Sequence, residues 1–176
     1  MTVPNYGASS IIDIEYSYRI KDIDSLQSRI QKLNDEHYTG NKEEDNYLYY
    51  KSELRPEMPV NCFILSSGVL TQSIFIHNDK LKADALRPNE NTHILLPSYF
   101  LAINNYLLEL TYTSLNFPNI KASQSVDLEI ICTDAEKRNW KFDFEIFIEP
   151  LKVRTENKKS NGEINISFKF LEQKKL

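Results

Sequence analysis

The chain has 176 residues, 41% of them hydrophobic and 26% charged, and a net charge of −4. That length suits one domain with a core of its own, and the balance excludes a disordered or low-complexity chain. The acidic excess argues against general nucleic-acid binding, which presents a basic face, and no apolar run reaches the ~18 residues of a membrane span.

Residues 1–10 carry Pro4 and Gly7 and read as an N-terminal arm. They show no basic-then-apolar leader, so a cytoplasmic location is the expectation. Residues 11–171 read as one domain. It opens with a strand in which Ile12, Ile14, Tyr16 and Tyr18 alternate with Asp13, Glu15, Ser17 and Arg19, because strand side chains point alternately to opposite faces. The period then changes: Leu26, Ile30 and Leu33 recur at helical spacing, and Asp24 with Gln27 three positions on forms a capping-box variant. A helix over residues 25–36 follows.

Residues 37–46 are polar and acidic, and residues 47–54 resume as a strand before the turn marked by Pro56 and Pro59. Residues 60–66 and 69–77 read as a hairpin joined at Gly68, residues 78–91 as a polar loop and residues 92–96 as a short strand. In residues 98–113, Phe100, Ile103 and Leu107 fit a helix, while Leu108, Leu110 and Tyr112 alternate. The expectation is a helical turn followed by a strand from Tyr106.

The clearest pattern is the hairpin over residues 126–148. Val126, Leu128, Ile130 and Cys132 alternate with polar neighbours, and after Asp134–Asn139 so do Trp140, Phe142, Phe144, Ile146 and Ile148. Each arm offers one apolar face and one charged face, across a connection of hairpin length. Pro150 is expected to end the hairpin, residues 151–161 to form a basic loop, and Ile164, Ile166, Phe168 and Phe170 to make a last strand before a frayed tail over 172–176. About eight or nine strands with no βαβ rhythm predict an antiparallel β-sandwich or flattened barrel, with one peripheral amphipathic helix near the N-terminus.

Chemistry-bearing motifs are sparse. The chain has three histidines, none at metal-ligand spacing, and only four glycines, too few for a phosphate-cradling loop. No Gly-x-Ser-x-Gly, Cys-x-x-Cys or His-Glu-x-x-His pattern occurs. Cys62 and Cys132 sit in apolar strands and read as core thiols. The acids Glu43, Glu44 and Asp45 are contiguous instead of alternating as calcium ligands do. No metal or cofactor is expected.

Ten tyrosines and nine phenylalanines point toward recognition, because Tyr brings large area and a polar tip at low rotamer cost. The leading expectation is a non-enzymatic protein–protein interaction or assembly module, of the kind a bacterial accessory factor or a phage-encoded inhibitor would be. Its partner surface is placed at Tyr47, Tyr49 and Tyr50 beside Glu43, Glu44 and Asp45, with a protein partner or a second copy of the chain as occupant. The alternative is a sandwich binding a small ligand or nucleotide, with an anion site drawn from His77, His93, Arg138, Arg154, Lys158 and Lys159. A metal-dependent hydrolase or nuclease comes third, on the Glu-x-Lys step at Glu172-Gln173-Lys174.

Overall fold

The computed structural model describes residues 1–37, 46–54, 59–67, 70–76, 80–113, 123–156 and 159–176. In chain order the elements are β1 (Thr2–Pro4), β2 (Ile11–Ile20), α1 (Ile23–His37), β3 (Asn46–Leu54), β4 (Pro59–Ser67), β5 (Leu70–Phe75), β6 (Leu81–Ala83), β7 (Asn91–His93), α2 (Ser98–Thr113), β8 (Val126–Asp134), β9 (Asn139–Glu156) and β10 (Lys159–Lys175). The fold is mainly β, with antiparallel sheets as expected. A five-stranded sheet has the order β10-β9-β8-β2-β6, a three-stranded sheet has β3-β4-β5, and β1 pairs with β7. Neither of the two larger sheets closes into a barrel among the described residues. None of the described helices is long and apolar enough to cross a membrane.

The alternation read from the sequence sets which face is buried. Ile14, Tyr16, Tyr18 and Ile20 of β2 point inward with Val126, Leu128 and Ile130 of β8 and Ile146 and Ile148 of β9. Leu26, Ile30 and Leu33 of α1 join the same cluster, as do Leu48, Phe63 and Ile74 of the three-stranded sheet. Both cysteines are free and buried. The α1 cap lies two residues before the expected Asp24: Asp22 Oδ1 accepts the Ser25 N–H at 3.1 Å.

Several expectations are corrected. Residues 98–113 form one continuous helix, α2, with no strand. Its buried residues Tyr99, Phe100, Ile103, Tyr106 and Leu107 recur at helical spacing, and a buried amide holds it in place. Asn104 Nδ2 donates to Phe100 O at 2.9 Å and to Gln124 O at 3.0 Å, while Asn104 Oδ1 accepts the Gln124 N–H at 2.7 Å. A second amide ties both helices to a strand: Asn34 accepts from the Tyr106 hydroxyl at 2.7 Å and donates to Leu48 O at 2.7 Å.

The N-terminal arm is anchored. β1 pairs with β7, and the buried Asn5 side chain donates to Ser9 O and accepts the Gly7 N–H, both at 3.0 Å. The polar loop over 78–91 contains β6, which pairs with the edge of β2. Pro150 does not end β9. It lies opposite Ile164 at a register shift that leaves Leu151 as an extra residue, and a bulge is where a strand tolerates proline. The basic segment from Leu151 is therefore strand through Glu156, and β10 starts at Lys159. The tail expected to fray continues the ladder, with Gln173 opposite Phe142 and Lys175 opposite Trp140.

Candidate functional site

The β9–β10 hairpin outruns the sheet that supports it. β8 pairs with β9 only as far as Ile146, whereas β10 pairs with β9 along its whole length. β10 is also an end strand of the sheet, and among the described residues no strand pairs with its outer edge. An unpaired edge exposes a row of main-chain donors and acceptors, ready to add another strand.

Register then decides what surrounds that edge. Ile148, Ile146 and Phe144 of β9 lie opposite Ile166, Phe168 and Phe170 of β10, so the inward face of the sheet continues onto β10. There the cover is partial, although α2 packs near β10 and Ile166 lies against the core. Ile164, Phe168 and Phe170 are 46%, 40% and 54% exposed, and Leu171, the extra residue of a second register shift, is 45% exposed. Phe170 is braced by Phe144, edge to face at 5.5 Å between ring centres, a favoured aromatic geometry. On the opposite face Glu149 Oε2 accepts from the Ser167 hydroxyl at 2.6 Å and from Asn165 Nδ2 at 3.3 Å. These contacts hold β10 against β9 and leave the apolar stripe on its inward face partly open to solvent.

The charged face of the five-stranded sheet forms an open groove of about 600 Å³ lined by Arg19, Asp127, Glu129, Lys141, Asp143 and Glu172. Its charges are paired both across and along strands. Arg19 meets Asp127 at 3.4 Å, and Lys141 lies 2.6 Å from Glu129 and 3.4 Å from Asp143. The hydrogen bond to Glu129 is the main reason that the Lys141 ammonium is held above its ordinary range. The register brings Asp143 opposite Glu172 and Lys141 opposite Lys174, around the Glu-x-Lys step. Lys141 bridges the acids on its side, and Lys174 lies 2.8 Å from Glu172. No group of three or more His, Cys, Asp or Glu gathers as a metal site among the described residues.

The expected anion residues are placed as follows. Arg138 lies 2.7 Å from Asp134 and 2.8 Å from Glu136, so its charge is already met by carboxylates. His93 is exposed on β7, its Nδ1 3.4 Å from the Thr2 hydroxyl oxygen. Arg154 and Lys159 are placed by backbone pairing alone, opposite Asn161 and Glu156. His77 and Lys158 lie outside the described residues, as do Glu43, Glu44 and Asp45. Of the tyrosine surface, Tyr49 stands on β3 opposite Ile64 and is 46% exposed. Tyr47 and Tyr50 share that strand, and their side chains lie outside what is described.

Sequence reasoning recognised β10 as a strand and overlooked it as a surface. The available signal was the pair of aromatic residues, Phe168 and Phe170, at the same parity as Ile164 and Ile166. Comparison with protein families, curated proteins and solved structures finds no match.

Proposed function

We propose that the protein is a non-enzymatic docking module that captures an extended protein segment along β10. The observation that carries this reading is the coincidence of a strand edge unpaired among the described residues with a partly exposed apolar stripe at Ile164, Phe168 and Phe170. Main-chain hydrogen bonds would supply affinity, and the alternating apolar side chains would supply selectivity. Tyr49 gives a second contact, on the three-stranded sheet. A cytoplasmic setting and a role as a bacterial accessory factor or phage-encoded inhibitor belong to the same proposal. The ligand-binding alternative has less support, because Arg138 is already neutralised by Asp134 and Glu136. The hydrolase reading has less again, because Lys141 and Lys174 occupy the acids around Glu172.

The test replaces both exposed aromatics, Phe168→Ser with Phe170→Ser, and compares capture from native extract with that by the wild-type chain. The expected outcome is a stoichiometric partner lost by the variant, at unchanged circular dichroism and with a thermal midpoint that stays well above the assay temperature. A partner retained by the variant removes the β10 surface. No protein partner with the wild type, neither another protein nor its own copy, removes the module reading itself.

A further inference from the structure

We propose that the segment β10 receives is β10 of a second copy, paired antiparallel about a two-fold axis through Ile166. The inference rests on the reading of β10 as a docking edge and names its occupant. The argument is one of self-complementarity, which a closed two-fold interface requires.

With the axis at Ile166, residue 165 faces 167 of the other copy, 164 faces 168, 163 faces 169 and 162 faces 170. On the apolar face Ile166 meets its own copy, and each Ile164 meets a Phe168, a β-branched and aromatic pair of the favoured kind. Gly162 meets Phe170, so a ring covers the position that has no side chain. On the polar face Asn165 meets Ser167, and each Glu163 meets a Lys169. Glu163 and Lys169 are both exposed and are the only charged residues between positions 162 and 170.

Other arrangements lose this match. Moving the axis to Ser167 sets Lys169 against Asn165 and Glu163 against Leu171. An axis at Lys169 or Glu163 places that charge on itself, and a parallel in-register pairing places both like charges together. Like charges directly opposite are destabilising. The paired stretch spans about 30 Å at ~3.4 Å per residue. It stops at the Leu171 bulge, beyond which Glu172, Lys174 and Lys175 guard the rest of the edge.

The test is sedimentation velocity on the full chain and on Lys169→Glu and Glu163→Lys, separately and mixed. The wild type is expected to dimerise, and each variant alone to dimerise about tenfold more weakly, since both ion pairs become repulsive. The equimolar mixture is expected to recover the dimer, because every cross-strand pair is then opposite in charge. Intrachain effects of the substitutions are the same in the mixture as alone, so recovery reports the interface. A wild type monomeric up to its solubility limit overturns self-pairing and leaves the docking edge for a different protein. Variants that dimerise like the wild type, or a mixture that fails to recover, overturn this register. Amide exchange on the wild type checks the result without substitution: protection over residues 162–170 should rise with protein concentration, and indifference to concentration overturns the proposal.

Discussion

Three residues show where the fold meets its polar obligations and where it does not. Asp134 shares the inward parity of β8 and is buried, yet it organises the whole β8–β9 turn. Its Oδ1 accepts the N–H groups of Glu136 and Arg138 at 2.9 and 3.0 Å, and its Oδ2 accepts Arg138 Nε at 2.7 Å and the Trp140 indole N–H at 3.3 Å. Burial alone would raise its pKa; the hydrogen bonds from Arg138 and Trp140 outweigh that and hold it down to about 2. A depressed carboxylate contributes stability above its unfolded pKa and loses it as pH falls through the folded value. Asp134→Asn should therefore lower the thermal midpoint at neutral pH, with the gap from wild type closing from roughly pH 4 downward. A gap that stays constant with pH would refute the ionic account.

The Tyr99 hydroxyl is the opposite case. It is buried with no hydrogen-bond partner among the described residues, and burial pushes its pKa up to about 12. Tyr99→Phe removes that group and keeps the ring, so denaturant unfolding should show it neutral or more stable by about 1 kcal/mol. A substantial loss of stability would mean that the hydroxyl is satisfied after all. Asn104 completes the set. Its truncation to Ala strands the Gln124 main chain and should cost about 1–3 kcal/mol, read from the same unfolding curves.

Among the elements, α1 and the β8–β9 hairpin were legible because their periods, 3.6 and 2, are plain in the residues themselves. α2 was not. Leu108, Leu110 and Tyr112 satisfy an alternating pattern locally, and what selects the helix is distant: Asn104 with Gln124, and Tyr106 with Asn34. Ile103 lies on the buried face of α2, so Ile103→Ala should destabilise by about 2–5 kcal/mol. A change within a few tenths would return this segment to the surface. Pro150 misled for a related reason, since a local rule ended the strand where a bulge lets it continue. The open edge of β10 was invisible for a third, because strand order is a tertiary property and no pattern within β10 says which strand lies outermost.

At the scale of the molecule, one buried cluster joins the five-stranded sheet, both helices and the three-stranded sheet. Beside that cluster Ile164, Phe168 and Phe170 of β10 remain partly exposed, as do Tyr49 and Phe75 on the three-stranded sheet. On the charged face of the five-stranded sheet, opposite charges pair across strands, Arg19 with Asp127 and Lys141 with Glu129, and such pairs tie register more than they add stability at an exposed face.

The pairing of β2 with β8 also has a consequence in time. Arg19 and Asp127 stand 108 positions apart, so β2 leaves the ribosome roughly 5–20 s before its neighbour at ordinary synthesis rates. Through that interval Tyr18 and Ile20 have no partner strand among the described residues, since β6 pairs with β2 only over residues 14–16, whereas β9 and β10 meet within one hairpin. Ladders closed over long separations form slowly. Pulse-labelled exchange during refolding should protect amides of the β9–β10 hairpin first and those of β2 last. Simultaneous protection would mean that collapse, and not chain connectivity, sets the order. A long strand made early is then one that depends on help while it waits.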